Sequence, residues 1–223
     1  MTQSSARRPL AEQPIRIWDL PLRLFHWLLA ATVLGSFISA KVGHMVWHER
    51  RGCVALALLA FRLAWGLAGS RYARFSAFVR GPGSVRAYLR GEWRGAGHNP
   101  LGALSVLAML AALSFQAVSG LFTNDDIAFE GPLAHRVSGS LTSLLTTLHR
   151  GNEPVLLGLI GLHVAAIVYY RVAKRHDLIG PMLHGNANHP TGVEGAQDNL
   201  RTRGRALIIA TLCALAVAWL VRH

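Results

Sequence analysis

The sequence has little charge and few cysteines. Charged residues make up 15% of its 223 positions, and only 11 positions are aspartate or glutamate. A soluble domain of this size seldom combines so little charge with long uncharged stretches. The two cysteines, Cys53 and Cys213, lie far apart in separate apolar stretches. This excludes a disulfide framework, a cysteine zinc site and a C-x-x-C-H site for covalent cofactor attachment.

Apolar residues instead make up 52% of the chain and concentrate in five runs. Each run is close to the roughly 20 residues that span a hydrocarbon core of about 30 Å. The runs extend over Leu24 to Ala40, Gly52 to Ser70, Leu101 to Asn124, Pro154 to Tyr170 and Ala206 to Val221. The sequence therefore predicts an all-α membrane protein with five transmembrane helices, the fifth of them C-terminal.

The formal net charge is +12, and the basic residues lie mainly in the connectors between the apolar runs. This distribution favours contact with lipid headgroups and argues against nucleic acid as a partner. On the side of the N-terminus, lysine and arginine number three in residues 1–21, six in 70–98 and six in 171–205, against six on the other side. The positive-inside rule then predicts a cytoplasmic N-terminus and, after five spans, a periplasmic C-terminus.

Composition divides the chain into four parts. We expect a flexible cytoplasmic N-terminus over residues 1–14, the four-helix domain over 15–173, a cytoplasmic linker over 174–203 and the fifth helix over 204–223. Two local questions stay open. The segment after Pro82 fits either a short amphipathic helix or an unstructured basic loop. The stretch from Gly151 to Pro154 fits either a helix start or a kink inside one longer helix.

Four histidines lie inside or at the edge of the apolar runs: His26, His48, His149 and His163. Ionisable residues are costly inside a membrane, so each one indicates a function. His149 and His163 are 14 residues apart, which on a regular helix is about 21 Å of rise and nearly the same face. Five further histidines fall in connectors or tails, where we expect them to be solvated: His98, His176, His184, His189 and His223.

The depth of each histidine in the bilayer predicts two pairs. His26 and His163 lie towards the inner side, whereas His48 and His149 lie towards the outer side. Two axial imidazoles suit a b-type haem that carries electrons, because they leave no open position for oxygen chemistry. Zinc would instead need four ligands at one point. We therefore predict two non-covalent b-type haems, with two alternative ligands: His44 for His48, and His135 for His149.

Two further residues of the second run fit a haem site. Arg62 follows His48 by 14 residues and lies at the inner level, where a haem propionate would supply the anion that a buried guanidinium needs. A snorkelling or structurally paired arginine is the alternative. Gly52, one turn beyond His48, would let a porphyrin edge approach the backbone, although a helix-packing glycine is equally compatible with the sequence.

Several short motifs surround these residues. They are Arg23-Leu-Phe-His26-Trp, His48-Glu-Arg-Arg-Gly52, Phe61-Arg62-Leu-Ala-Trp65-Gly66, Gly69-Ser-Arg-Tyr-Ala-Arg-Phe75, His149, and Leu162-His163-Val. Together, over about residues 15 to 185, they resemble the bacterial cytochrome b561 family, which includes the b-type cytochrome subunits of nickel-iron hydrogenases. The resemblance implies a bacterial inner-membrane protein with a four-helix haem-binding bundle. It also implies two b haems on the same four histidines.

The expected function is electron transfer between the quinone pool and a periplasmic or membrane redox partner, such as a periplasmic cytochrome c or a hydrogenase-type enzyme. Two alternatives stay open: a free-standing quinone-reducing oxidoreductase, and a haem-free metal-binding membrane transporter. The sequence assigns no catalytic residue. It also leaves open whether the chain is itself an enzyme and whether it forms a homo-oligomer.

Overall fold

The structure, a computed structural model, describes residues 12–93 and 95–222. Within these ranges the chain is mainly helical. In chain order the elements are β1 (Glu12–Arg16), α1 (Leu20–Lys41), α2 (Met45–Ala68), α3 (Phe75–Phe78), α4 (Pro82–Leu89), α5 (Pro100–Gly120), α6 (Gly139–Val172), α7 (Ile179–His184), β2 (Asn186–Pro190) and α8 (Leu200–Leu220). Five of them, α1, α2, α5, α6 and α8, are long and apolar enough to span a membrane. The predicted all-α membrane fold is confirmed.

Short polar side chains fix where four of the long helices begin. In each case the residue before the helix accepts a hydrogen bond from a backbone N–H three positions later, which satisfies a donor that has no partner inside the helix. These capping residues are Asp19 before α1, Asn99 before α5, Ser138 before α6 and Asn199 before α8. Prolines occupy the first turns of α1 and α5, where no backbone donor is needed.

The long helices alternate in direction. We call the end of the bundle where α1 begins the N-side, and the opposite end the far side. Helix α2 is central and contacts α1, α5 and α8, whereas α6 packs mainly on α5. The space between the α1–α2 pair and the α5–α6 pair is where the facing histidines lie. Helix α8 packs on α2, outside the four-helix bundle.

Helix α6 is one continuous helix of 34 residues with Pro154 inside it. Of the two predicted alternatives, the longer helix is therefore correct. Proline removes one backbone hydrogen bond, and neighbouring helices hold this turn in place. The Asn152 amide donates to the Ala112 carbonyl at 3.0 Å in α5, and Glu153 pairs with Lys41 of α1 at 2.6 Å.

A small cap covers the N-side. Strands β1 and β2 pair antiparallel, with Gln13 opposite His189. The carbonyl of Gly185, whose φ of +93° favours glycine, accepts from the backbone N–H groups of Ile17 and Trp18. Residues 12–14 and 186–190 therefore lie in strands, where the sequence predicts a flexible tail and linker. Pairing between segments that are far apart in the chain leaves no periodic pattern from which it could be predicted. Residues 1–11 lie outside the described residues. We call β1, β2, α7 and residues 193–198 the N-side cap.

The segment after Pro82 forms the short helix α4, which resolves that question in favour of a helix. Its Tyr88 hydroxyl contacts the Tyr170 hydroxyl of α6, and the Asn99 amide donates to Tyr170 at 3.1 Å. Burial and the contact with Tyr170 raise the pKa of Tyr88 to about 12. Helix α4 is therefore docked against the bundle by a protonated phenol.

Candidate functional site

Four histidines from three helices face one another as two pairs. His26 of α1 and His163 of α6 have ring centroids 6.3 Å apart. His48 of α2 and His149 of α6 have ring centroids 6.1 Å apart. The two partners on α6 are separated by about 21 Å of helix rise. One pair therefore lies towards the N-side and the other towards the far side, as the depth argument predicts.

The separation within each pair fits one metal ion between two imidazoles. A metal–imidazole nitrogen bond is about 2 Å long, and each ring adds roughly another 1 Å from its nitrogen to its centroid. Two such ligands on opposite sides of a metal therefore have centroids about 6 Å apart. Among the described residues, histidine, cysteine, aspartate and glutamate do not converge in any group of three or more that could hold a metal ion.

The far-side pair has its ring orientation fixed by hydrogen bonds. His48 Nδ1 is 3.1 Å from the Ser36 carbonyl, and His149 Nδ1 is 3.0 Å from the Gln116 carbonyl. A carbonyl only accepts, so each Nδ1 carries the proton and each Nε2 keeps a lone pair. His149 Nε2 accepts from the Gln116 amide at 3.2 Å, a contact that a bound metal would replace. This arrangement is typical of metal-binding histidines.

A cavity of about 380 Å³ adjoins the far-side pair. Its lining comes from α1, α2, α5 and α6 and from the connector between α5 and α6, and most of the lining surface is apolar. Gly52 borders it, and a Cβ added there would meet nothing within 4 Å, so helix packing does not require this glycine. Gly120 differs, since an added Cβ would lie 2.9 Å from His149 Cε1. A flat apolar group with an edge against Gly52 fits such a space.

The N-side pair is held differently. His26 Nδ1 is buried and, within the described residues, has no hydrogen-bond partner. The His26 ring instead packs edge-on against the ring of Trp27 at 4.9 Å. The Trp27 indole donates to the Met182 carbonyl at 3.2 Å, which ties this part of α1 to α7 in the N-side cap. Aromatic packing and the cap thus position His26.

Arg62 is buried at the level of the N-side pair, with 2% of its surface exposed. The position of Arg62 along the bundle follows from its neighbour Phe61. The Phe61 ring lies 6.3 Å from the ring of Phe25, which directly precedes His26. The guanidinium carbon lies 4.9 Å from the centre of the Phe75 ring. Burial rules out the snorkelling alternative. Within the described part of the chain, Arg62 Nη1 has no hydrogen-bond partner.

Asp19 is the acidic group whose charge acts on Arg62, but other donors occupy its carboxylate. Asp19 is fully buried and accepts from the Leu22 backbone N–H, from the Trp65 indole at 3.1 Å and from the Ser70 hydroxyl. Among the described residues, Arg62 Nη1 is therefore left without a hydrogen-bonded counter-ion.

His98 corrects an expectation, because it is not a solvated connector residue. Its ring packs against those of Trp18 at 4.6 Å and Phe78 at 4.7 Å. Its Nδ1 is buried without a hydrogen-bond partner among the described residues. Burial, and secondarily the positive charge of Arg62, lower the pKa of His98 to about 3, so the ring is neutral. No periodicity marks this residue; its only sequence signal is its place directly before the Asn99 helix cap.

The two alternative ligands lie outside the pairs. His44 is exposed at the start of α2, and His135 is exposed in a short 3-10 helix over Ala134–Arg136. The ring contacts instead join His48 to His149. The geometry therefore favours His48 and His149 over these neighbours.

The fold and the paired imidazoles define a multi-pass helical membrane protein with two sites suited to metal cofactors. The family model described as prokaryotic cytochrome b561 matches residues 17–185, and the chain belongs to this family. It is accordingly a membrane b-type cytochrome of electron transfer, and the resemblance noted in the sequence is confirmed. Helix α8 lies beyond the matched residues. Comparison with curated proteins and with solved structures gives no match.

Proposed function

We propose that this cytochrome binds two b haems and transfers electrons between the quinone pool and a periplasmic or membrane redox partner. His26 and His163 would hold the N-side haem, and His48 and His149 the far-side haem. The observation that carries this proposal is the pair of ring separations, 6.3 and 6.1 Å, each suited to one iron. Each haem, when bound, would supply an iron that gains and loses one electron.

The protein's own residues would orient the groups and exclude water. The Ser36 and Gln116 carbonyls hold the far-side imidazoles with Nε2 free. Arg62 would bind a propionate of the N-side haem through its free Nη1. Gly52 would leave space for a porphyrin edge at the far-side cavity. Stacked sites about 21 Å apart along α6 would carry electrons through much of the bilayer.

The side on which each haem lies follows from the charge distribution. Fifteen lysines and arginines belong to N-side segments and six to far-side segments, so the N-side would be cytoplasmic. The far-side haem would then face a periplasmic partner, such as a cytochrome c or a hydrogenase-type enzyme. A quinone would reach the bundle through lipid. Family membership sets aside the haem-free metal transporter considered from the sequence alone.

A haem count tests the cofactor proposal. The protein would be expressed with ample haem precursor, purified in detergent and analysed for haem per chain, followed by a redox titration. We expect two low-spin haems per chain and a titration that needs two potentials. A single haem per chain, or a high-spin spectrum indicating an open iron position, would contradict the proposal.

Stopped-flow reduction tests the quinone. We expect a quinol analogue to reduce both haems of the purified cytochrome, and a soluble cytochrome c to reoxidise them. If the quinol analogue fails to reduce a cytochrome that holds both haems, quinone is not its substrate, whereas the cofactor proposal still stands. Steady turnover of a small reductant with quinone, by this chain alone, would instead favour the free-standing oxidoreductase.

A further inference from the structure

Four polar side-chain atoms are buried without hydrogen-bond partners among residues 12–93 and 95–222, and they belong to Arg23, His26, Arg62 and His98. Two of them, Arg62 Nη1 and His98 Nδ1, belong to neighbouring side chains at the N-side: the Arg62 guanidinium lies over Phe75, Phe75 contacts Phe78, and Phe78 contacts the His98 ring. They come from different elements, since Arg62 lies in α2 and His98 directly precedes the cap of α5. Buried donors without acceptors are rare in native proteins, and two at one place indicate a group that would accept from both.

Both side chains are held by aromatic rings, so neither is free to turn towards solvent. Phe75 lies under the Arg62 guanidinium and occupies the space left by Gly66, where an added Cβ would lie 2.0 Å from the Phe75 ring. His98 packs against Trp18 and Phe78. This rigid arrangement is typical of a binding site whose donors are placed in advance.

The charges around this place favour a carboxylate. Arg62 carries a permanent positive charge at 2% exposure, and a buried guanidinium requires an anion. Asp19 does not meet this need through a hydrogen bond, since its oxygens accept from Leu22, Trp65 and Ser70. A quinone carbonyl is neutral and would leave the guanidinium charge without a bonded counter-ion.

We infer that His98 and Arg62 together bind one carboxylate, a propionate of the N-side haem, with His98 donating from Nδ1 and Arg62 from Nη1. This inference rests on the proposed function, because it needs the haem between His26 and His163. His98 is then a positioning residue. It holds the propionate and spreads its negative charge, which makes reduction of the nearby iron easier.

The test compares two substitutions of His98 in the full-length cytochrome. His98→Asn keeps a donor, because the asparagine Nδ2 occupies nearly the position of histidine Nδ1. His98→Leu keeps the size and loses the donor. Haem per chain and both midpoint potentials would be measured for each variant. We expect His98→Leu to lower the potential of one haem only, and His98→Asn to restore it towards the wild-type value.

Two further variants assign the shift to the shared carboxylate. Arg62→Gln should lower the potential of the same haem by more, since it removes a full charge. The double variant should fall short of the sum of the single shifts, because both residues would act on one group. His135→Leu changes an exposed histidine outside both ring pairs; it is the matched control and should move neither potential.

Several results would overturn the inference. One is unchanged potentials in His98→Leu with both haems retained, which would leave the proposed function standing. Another is a shift that His98→Asn fails to restore, indicating a packing role. A third is a change confined to quinol reduction kinetics, which would make this place a quinol site. A wild-type chain holding only the far-side haem would overturn both the inference and the proposed function.

Discussion

The two histidine pairs have nearly equal ring separations, yet different parts of the chain support them. On the far side, backbone carbonyls of α1 and α5 fix the rings of His48 and His149. On the N-side, His26 Nδ1 lacks a partner among the described residues, and the neighbouring Trp27 is held by the N-side cap. The far-side rings are thus held by the spanning helices, and the N-side pair by helices and connectors together.

Because of this difference, the two histidine pairs should respond to different substitutions. Carbonyls within helices move little, so the far-side rings should keep their orientation unless the helices separate. The N-side depends on loop-borne groups such as His98 and on the buried carboxylate of Asp19. Changes in connectors should therefore affect the N-side haem, whereas changes at helix–helix contacts should affect the far-side haem. Five substitutions, with their controls, test this division.

The largest expected effect is the loss of one whole haem. His149→Ala should remove the far-side haem and His163→Ala the N-side haem, because one remaining imidazole cannot supply both axial ligands. Haem per chain should fall from two to one in each variant, and each should lose a different midpoint potential. Loss of the same potential in both variants would contradict the separate pairs.

The matched controls for these losses are His44→Ala and His135→Ala. Both residues are exposed and lie outside the ring contacts, so both variants should retain two haems. Loss of the far-side haem in either control would mean that the substituted histidine is a haem ligand in the wild-type protein.

The pairs themselves could be predicted from the sequence, because long apolar runs fix depth and the helical period fixes the face. Assigning His149 and His163 to different levels required only their spacing and the direction of α6. The N-side cap could not be predicted in this way. Strands β1 and β2 are five residues each and join distant parts of the chain. His98 was missed for the same reason, since its burial comes from Trp18 and Phe78, which no local pattern connects to it.

Asp19→Ala should have the next largest effect, and it should act on the N-side. It removes the cap of α1 and the acceptor for Trp65 and Ser70. We expect a loss of roughly 2–4 kcal/mol, from one helix cap and buried donors left without an acceptor. Thermal unfolding at a fixed scan rate would measure it, and the N-side haem should be released first.

Asn199→Ala is the control for the cap alone. Asn199 caps α8 through the Thr202 backbone N–H, and α8 lies outside the bundle, so the loss should be about 1 kcal/mol with both haems retained. An equal effect of the two variants would mean that the Asp19 contacts with Trp65 and Ser70 contribute little.

Gly120→Ala should affect the far-side haem through a helix–helix contact. The new Cβ would lie 2.9 Å from His149 Cε1 and push the ring out of line. We expect roughly tenfold faster loss of the far-side haem to a haem acceptor, comparable to the effect of removing a group that orients a metal ligand. Gly158→Ala, also in a spanning helix and with open space at the Cβ position, should leave both release rates unchanged.

Gly52→Ala should have the smallest effect, and the substitution should stabilise the haem-free protein but weaken the binding of the far-side haem. In the haem-free protein an added Cβ meets nothing within 4 Å, so alanine should stabilise α2 by about 0.5–1 kcal/mol. In the haem-bound protein the same methyl group would press on a porphyrin edge, so far-side haem release should become a few-fold faster while N-side release stays constant. Stabilisation of both forms would show that no porphyrin approaches Gly52 and that the far-side haem lies further along the cavity.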